Sequence, residues 1–263
     1  MDSLDWPGTG RNLDWGKGSY LVGQGGAAWT CSSCYVTAPA RLEWCSRCGS
    51  WGSFVMRVTR PASPVQDTAV RSAAELARGT SSWLPLTGPV GEVFGPVPVG
   101  LWSMAIWGPP GSWKSTSALV LSEALCQASG PVLYLSLEEG HGATISERLR
   151  RLEIRRDDLL VACQSDLGRV VETCREREVR SIVIDSLSYL PSLDAEDLAR
   201  LGREAGAAIV VILHATKSDQ ARGSLSVLHA VDVVVALHGG DYQHEKNRFG
   251  ALKKGRLPWS TTT

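Results

Sequence analysis

The chain has 263 residues, enough for one substantial domain and a smaller one. Hydrophobic residues make up 43% of it and charged residues 21%, a balance typical of a soluble globular protein. Lysine plus arginine and aspartate plus glutamate each number 27, so net charge argues neither for nor against a nucleic-acid partner. Any such argument has to come from local charge.

The first segment, residues 1–28, is rich in glycine, aspartate and tryptophan and has no helical or strand periodicity, which predicts a flexible tail. A docking peptide is the alternative. No apolar run of signal-peptide or membrane-span length occurs in the chain, so we expect a cytoplasmic protein with no membrane partner. Thiols stay reduced in the cytoplasm, so the seven cysteines indicate metal ligands rather than disulfides.

Four of the cysteines form two C-x-x-C pairs that are ten residues apart, Cys31 with Cys34 and Cys45 with Cys48. Each pair can give two thiolates to one tetrahedral ion, and four sulfur ligands leave no open coordination position. A segment this short has too small a core to be stable without metal. The spacing predicts a structural zinc ribbon over 29–55 and, after it, a proline-containing linker over 56–88; a redox dithiol or chance pairs are the alternative.

The remainder, residues 89–263, alternates between β-branched runs and segments of helical spacing. This alternation predicts an α/β domain with a mostly parallel sheet and helices on both faces, in which a nucleotide binds at the carboxyl ends of the strands. The predicted strands are 102–107, 132–137, 159–163, 182–184, 208–213 and 231–237, and the predicted helices are 68–77 in the linker, 114–128, 145–152, 167–177 and 195–205.

A phosphate-binding loop stands between the first of these strands and the helix that follows it. Its sequence has the form and context of a Walker A loop, whose backbone amides cradle phosphate oxygens. Lys114 would neutralise the β and γ oxygens, and the Ser115 hydroxyl would ligate Mg²⁺. A chance match is the alternative. The nine residues of the loop are Gly108, Pro109, Pro110, Gly111, Ser112, Trp113, Lys114, Ser115 and Thr116.

The loop departs from the Walker A pattern at one position, because Trp113 occupies the place of the glycine before the lysine. If that backbone position needs a positive φ, a tryptophan there costs on the order of 1–3 kcal/mol of strain. Its amide can still donate to a phosphate. A domain that binds nucleotide without efficient hydrolysis is therefore the main competing interpretation.

Two acidic positions support the phosphate loop. Asp185 ends the apolar strand Ser-Ile-Val-Ile-Asp, which has the Walker B form and suits a carboxylate that holds Mg²⁺ through its water shell. Glu138 and Glu139 end the preceding predicted strand at the same edge of the sheet, where a carboxylate can orient and deprotonate an attacking water. The alternative for this pair is an acidic start to the next helix.

These residues, with three further strings, resemble the RadA/Sms family over roughly residues 29–255. The string Cys45–Phe54 resembles the second half of its zinc finger, and the strand before Glu138 resembles the one that carries its catalytic glutamate. His214 begins a segment that resembles the family's switch. The most specific match is Lys-Asn-Arg-Phe-Gly at Lys246–Gly250, the string that marks the family.

The resemblance implies a RecA-like core that uses ATP, Mg²⁺ and Zn²⁺, and a DNA-dependent ATPase of homologous recombination and repair. Such a protein processes recombination intermediates by branch migration or strand exchange, on single-stranded or branched DNA. It also implies a ring or filament of identical subunits, and a recombinase as a partner. The family ordinarily carries a C-terminal Lon-protease-like domain, whereas this sequence stops at Thr263, so we expect a shortened form. A KaiC-like regulatory ATPase shares the core but explains neither the ribbon nor Lys246–Gly250.

Several cations then acquire expected roles. Lys246 and Arg248 are two residues apart, so on a strand they project from one face, and in related ring ATPases such a pair reaches the neighbour's ATP. A basic solvated edge strand is the alternative for this pair. His214 would sense the γ-phosphate, with an ordinary core or surface histidine as its alternative. The candidate DNA contacts, whose binding should weaken as salt rises, are Lys217, Arg222, Lys253, Lys254 and Arg256.

Overall fold

The computed structural model describes residues 27–31, 36–38, 40, 42–52, 54–58, 70, 72–79, 82–191, 193–215, 221–222 and 225–261. The chain divides into two compact units, residues 1–70 and 71–263, and each has its own sheet. Across the described ranges, no helix combines the length and the hydropathy that crossing a bilayer requires.

The first unit is a small antiparallel sheet of three strands, β1 (Ala27–Cys31), β2 (Thr37–Ala38) and β3 (Phe54–Val58), in the order β2-β1-β3. Strand β1 begins inside the segment predicted as a tail, and residues 1–26 lie outside the described ranges. Among the described residues of this unit, the buried core consists of Cys31, Ala38, Cys45 and Phe54, with Trp29 and Val36 packed against it. A core of this size needs an additional source of stability.

The second unit contains a nine-stranded sheet with the order β12-β11-β10-β4-β8-β7-β5-β6, and β9 pairs with β8 beside this path. The six strands from β10 to β6 are parallel, and β9, β11 and β12 run antiparallel to their neighbours. The strands are β4 (Ser103–Gly108), β5 (Val132–Ser136), β6 (Leu159–Ala162), β7 (Ser181–Asp185), β8 (Ala208–Ala215), β9 (Ala221–Arg222), β10 (Val233–His238), β11 (Asp241–Asn247) and β12 (Lys254–Arg256).

Helices cover both faces of this sheet. The helices of this unit are α1 (Ala73–Arg78), α2 (Gly88–Phe94), α3 (Lys114–Ser129), α4 (Ala143–Arg151), α5 (Leu167–Glu176), α6 (Ala195–Ala205) and α7 (Leu225–Ala230), with 3₁₀ turns at Leu187–Tyr189 and Pro258–Thr261, and α1 contains no buried residue. Helices α2 and α3 pack on one face, whereas α5, α6 and α7 pack together on the other. The predicted α/β fold with a RecA-like core is confirmed.

Alternation along the central strands separates the two faces. Met104 and Ile106 belong to the core cluster under α3, whereas Ala105 and Trp107, equally buried, point to the opposite face. Every residue of β5 and β7 is buried, because helices exclude water from both sides. This is why those two strands read as continuous apolar runs in the sequence.

Several elements differ from their predicted bounds or had no predicted counterpart, among the latter the short β9 and α7. The linker helix predicted over 68–77 begins at Ala73 among the described residues, where Ser72 caps it. The strand predicted from Val231 begins two residues later, because the amide of Asp232 first bonds to Ser103. Helix α2 and the β11–β12 hairpin were not predicted. The former contains two glycines and a proline, and the latter is almost entirely polar, so neither has an apolar period.

Candidate functional site

Three of the four predicted zinc ligands converge in the first unit. The Sγ atoms of Cys31, Cys45 and Cys48 all lie within 4.8 Å of one another, and those of Cys31 and Cys48 are 3.7 Å apart. Tetrahedral zinc with Zn–S bonds of about 2.3 Å requires sulfur atoms about 3.8 Å apart. The donor set and its spacing therefore fit zinc, and the fourth predicted ligand, Cys34, lies outside the described residues.

The phosphate loop leaves β4 at Gly108 and enters α3 at Lys114, so it lies at the carboxyl edge of the parallel strands. A Cβ at Gly108 would stand 2.1 Å from the carbonyl oxygen of Leu237 and 2.6 Å from the Ser112 hydroxyl. Gly111 has φ +76°. Both glycines are thus required by the backbone of the loop, one by close approach and the other by its conformation.

Trp113 has φ +71° and ψ 14°, in the left-handed region. The backbone at this position therefore has the positive φ that makes a tryptophan there strained, at a cost of about 1–3 kcal/mol. Its side chain is half-buried, packs against the core under α3 and also lines the cleft above the loop. Its carbonyl accepts the amide of Ser117 at 2.8 Å. The loop therefore keeps the Walker A backbone with an indole where hydrogen is usual.

Lys114 is almost fully buried at the start of α3. Its Nζ donates to the carbonyl oxygen of Pro109 at 2.7 Å. Burial lowers the pKa of this ammonium, and the carboxylates of Asp185 and Glu138 oppose that shift. The cation is thus held within its own loop by a single neutral acceptor, which an anionic oxygen can replace with a stronger, charge-assisted bond.

Asp185 ends β7 beneath the loop and is 4% exposed. Its Oδ2 accepts the Tyr134 hydroxyl at 2.5 Å, while Oδ1 is buried and has no hydrogen-bond partner. Burial raises the pKa of this carboxyl, and hydrogen bonds from the side chains of Tyr134 and Ser115 oppose the shift. The Ser112 hydroxyl is also buried without a partner. Orphaned oxygens of this kind are costly and suit a divalent cation with its water shell.

The two glutamates after β5 have different partners. Glu138 Oε2 is 3.1 Å from His214 Nε2, which is in turn 3.0 Å from the Ser186 hydroxyl. Glu139 instead forms a bidentate ion pair with Arg148, at 2.7 and 2.8 Å. Neither glutamate lies in the first turn of α4, so they do not act as an acidic helix start. Of the pair, Glu138 is the carboxylate not committed to a cation.

An open cleft of about 700 Å³ lies among these side chains, and the buried Asp185 and Tyr134 are not part of its lining. Its lining includes the loop from Pro110 to Thr116, Glu138, Glu139 and His214, so the predicted loop and acidic residues meet there. Sequence reasoning missed four further lining residues, because no motif contains them; they are Arg148, Arg151, Ser188 and Tyr189. It also missed Tyr134, whose position on a buried strand four residues before Glu138 was the available signal.

No protein-family model matches the chain. Curated proteins named DNA repair protein RadA do match: that of Pseudomonas aeruginosa is 27% identical over 261 aligned positions, which cover 85% of this chain and 55% of that protein. The Bacillus subtilis protein is 26% identical over 258 positions (85% and 56%), and the Escherichia coli protein 25% over 268 (86% and 56%). The chain is a relative of RadA.

The resemblance inferred from the motifs is thereby confirmed. The chain spans about half the length of the RadA proteins that it matches. Their activity and partners as whole proteins are therefore a basis for proposals about this chain.

The string that marks the RadA resemblance starts in β11. Lys246 lies in the strand, whereas Arg248 follows its end, so the expectation that both project from one strand face is wrong in that detail. Both nevertheless contact the same segment, the end of α7. Lys246 Nζ donates to the carbonyl oxygen of His229 at 2.6 Å, and Arg248 pairs with Asp232 at 2.9 Å.

This pair is remote from the cleft of its own chain. Lys246 pairs with Val234 in β10, which pairs with Ala105, three residues before the loop begins at Gly108. Strand geometry places the Lys246 backbone about 10 Å back along the sheet and about 10 Å across it from Gly108. That separation exceeds the span of a lysine side chain. A role at a RadA-type nucleotide site would have to be at the site of another copy.

The predicted DNA-contact residues differ from one another in how exposed and how strongly bonded they are. Lys253 Nζ donates to the carbonyl oxygens of Gly91 and Gly95 at the end of α2, at 3.3 and 3.1 Å. Lys254 and Arg256 are exposed on β12. Lys217 and the side chain of Arg222 lie outside the described parts of the chain.

Proposed function

We propose that this chain is a DNA-stimulated ATPase that acts on recombination intermediates in DNA repair. The observation that carries the proposal is the cleft lined by the Walker A loop and by Glu138, with the buried Walker B residue Asp185 bonded to the backbone of that glutamate. The similarity to proteins named DNA repair protein RadA supports the DNA part. Branch migration or strand exchange, as the resemblance implies, is the type of processing we propose.

Binding would begin with the loop. Its amides and those at the start of α3 would receive the phosphates, and Lys114 would exchange the Pro109 carbonyl for a phosphate oxygen. Ser115 and Asp185 would hold Mg²⁺, which would neutralise phosphate charge when bound. Because Oδ1 of Asp185 is already buried and unpartnered, the position needs no rearrangement of that side chain.

Glu138 would orient and deprotonate the attacking water, since it is bound to a histidine alone. His214 contacts both Glu138 and Ser186 through the same nitrogen, so movement of its ring toward a γ-phosphate would release the carboxylate. Glu139 would not substitute, because its two oxygens are occupied by Arg148.

Lys246 and Arg248 would act on the site of an adjacent subunit, where they would stabilise charge developing on the γ-phosphate. Their remoteness from their own cleft supports action in trans, and so an assembly of identical subunits, as a ring or filament. A recombinase would be the partner in the reaction. The zinc ribbon would be held by Cys31, Cys34 and their two counterparts, Cys45 and Cys48, as a structural module.

DNA would bind through the cations after β11 and those of the segment before α7. Lys254 and Arg256 are exposed and available, whereas Lys253 would have to give up its bonds to α2. Lys217 and Arg222 complete the proposed set. Binding through such contacts should weaken as the salt concentration rises.

The test is ATP turnover with and without single-stranded DNA in wild type and in Lys114→Ala, with thermal melting to verify that both are folded. We expect turnover that DNA raises in wild type and that Lys114→Ala abolishes. Absent turnover, or turnover that survives Lys114→Ala, would refute the assignment.

A second function, a nucleotide-binding accessory module without efficient hydrolysis, is favoured by one observation, the strained Trp113 in the loop. Trp113→Gly discriminates between the two. A large gain in turnover would mean that the natural loop limits hydrolysis and would favour the accessory module. Unchanged turnover would mean that the indole is tolerated in an active ATPase.

A further inference from the structure

The last turn of α4 carries three arginines, Arg148, Arg150 and Arg151. Two of them are neutralised by carboxylates. Arg148 has the bidentate pair with Glu139, and Arg150 pairs with Glu147 at 2.6 Å on the exposed side of the helix. Arg151 is exposed and forms no direct hydrogen bond or ion pair with any residue that the structure describes; it interacts electrostatically with Glu147, the direct partner of Arg150.

Helical spacing puts Arg148 and Arg151 on the same side of α4, since they are three residues apart. Both line the nucleotide cleft, together with Lys114, whereas Arg150 does not. The ion pair between Arg148 and Glu139 ties α4 to the end of β5, and this places Arg151 at the wall of the cleft.

Among the charged side chains that line the cleft, Arg151 is the cation that no lining carboxylate neutralises. Glu139 neutralises Arg148, and Lys114 interacts with Asp185 and Glu138. Among the described cations that line the cleft, Arg151 has no acidic partner within it, because the carboxylate that it interacts with, Glu147, is outside the lining and is paired with Arg150. An anionic group of the ligand is the natural partner for a cation in this position.

The position within the cleft indicates which group that is. The loop and Lys114 would bind the phosphates, and Arg148, on the same side of α4 as Arg151, is bonded to Glu139, the neighbour of the proposed base Glu138. The terminal phosphate and the attacking water must lie between the loop and that base. We propose that Arg151 binds the γ-phosphate within its own chain and gives the cleft its preference for triphosphate over diphosphate. This rests on the proposed ATP site, and it is separate from the action of Lys246 and Arg248 in trans.

The experiment measures the affinity of full-length protein for a non-hydrolysable ATP analogue and for ADP, each with Mg²⁺. Wild type, Arg151→Ala and Arg151→Gln are compared with Arg150→Ala, the matched control on the same helical turn. Loss of one charge-assisted contact predicts about tenfold weaker binding of the triphosphate in both Arg151 variants, with the ADP affinity nearly unchanged. Arg150→Ala should leave both affinities at the wild-type level.

Equal weakening of triphosphate and diphosphate, or none, would overturn the role of Arg151 while leaving the ATP site intact. The same weakening in Arg150→Ala would show a general effect of helix charge and would overturn it as well. Failure of wild type to bind either nucleotide would overturn the proposed function and this inference together. The outcomes thus separate the two claims.

Discussion

Trp113 places a large side chain on a backbone conformation that favours glycine, and packing offsets the strain. Removing the indole loses that packing, but the cost of the left-handed backbone remains unless the replacement is glycine. Trp113 is also the N-cap residue of α3, where glycine is ordinarily favoured over alanine, so the positive φ adds to an existing preference for glycine.

We expect Trp113→Gly to be more stable than Trp113→Ala by about 1 kcal/mol, because only alanine retains the left-handed penalty. Urea denaturation of the two variants measures the difference. Equal stabilities, or a more stable alanine variant, would mean that φ is not positive at this residue in solution.

His244 is 2% exposed and holds α2 through a bond from its Nε2 to the carbonyl oxygen of Val93 at 2.7 Å. Burial lowers the pKa of this imidazole, the bond to Val93 opposes the shift, and Lys253 nearby adds to it. The unfolded chain thus takes up a proton at higher pH than the folded one, so stability is lost as pH falls below about 6.5.

Accordingly, the free energy of unfolding of wild type should fall between about pH 7.5 and about pH 5.5 by more than that of His244→Gln. The exposed His229 supplies the control, since His229→Gln should keep the wild-type dependence. A wild-type slope in the His244 variant would assign the loss to other groups.

The site residues that could be predicted from the sequence are those that belong to a motif or lie at the end of a predicted strand. The loop, Asp185 and Glu138 meet because parallel strands end at one edge. Arg148 and Tyr134 could not be predicted in this way, because their roles depend on which face of a helix or strand is turned to the cleft. The strain at Trp113 depends on a positive φ, and the structure was needed to give the value of that angle.

Among the elements, α2 forms without the support of its own sequence, which contains glycines and a proline. The hairpin opposite supplies the stability. His244 and Lys253 bond to carbonyl oxygens of α2 or of Gly95, which follows it, and Trp259 stacks on Phe94 with ring centroids 6.0 Å apart. Long-range contacts of this kind override local propensity, so α2 was not predictable. Strands such as β5 and β7 were predictable, because burial on both faces gives them a continuous run of apolar residues.

Lys253 and Lys254 are adjacent but differ in their contacts, which allows a paired prediction. Lys253→Met should destabilise the protein by about 0.5–1 kcal/mol, since it removes the cation at the end of α2, whereas Lys254→Met should not. Thermal unfolding at fixed salt measures both. Equal effects of the two substitutions would count against the bond to α2.

For the molecule as a whole, the two units depend on different sources of stability. The second has an extended apolar core, while the described part of the first has a small core in which Ala38 and Phe54 are buried with two cysteines of the thiol cluster. Zinc should therefore matter to the first unit in particular.

We expect one zinc per chain by elemental analysis, and its loss in Cys45→Ser together with rapid proteolysis within residues 27–58. Cys163→Ser is the control, because this exposed cysteine lies outside the thiol cluster. Full zinc content in Cys45→Ser would contradict the ribbon.

The central claim is that the cleft hydrolyses ATP with Glu138 as base, and the neighbouring Glu139 provides its internal control. The most direct measurement is single-stranded-DNA-stimulated ATP turnover, with nucleotide affinity, in Glu138→Gln and Glu139→Gln. We expect a loss of about 10²–10⁴-fold in turnover at unchanged affinity for Glu138→Gln, and a far smaller loss for Glu139→Gln. Wild-type turnover in Glu138→Gln, or an equal loss in both variants, would show that Glu138 is not the base.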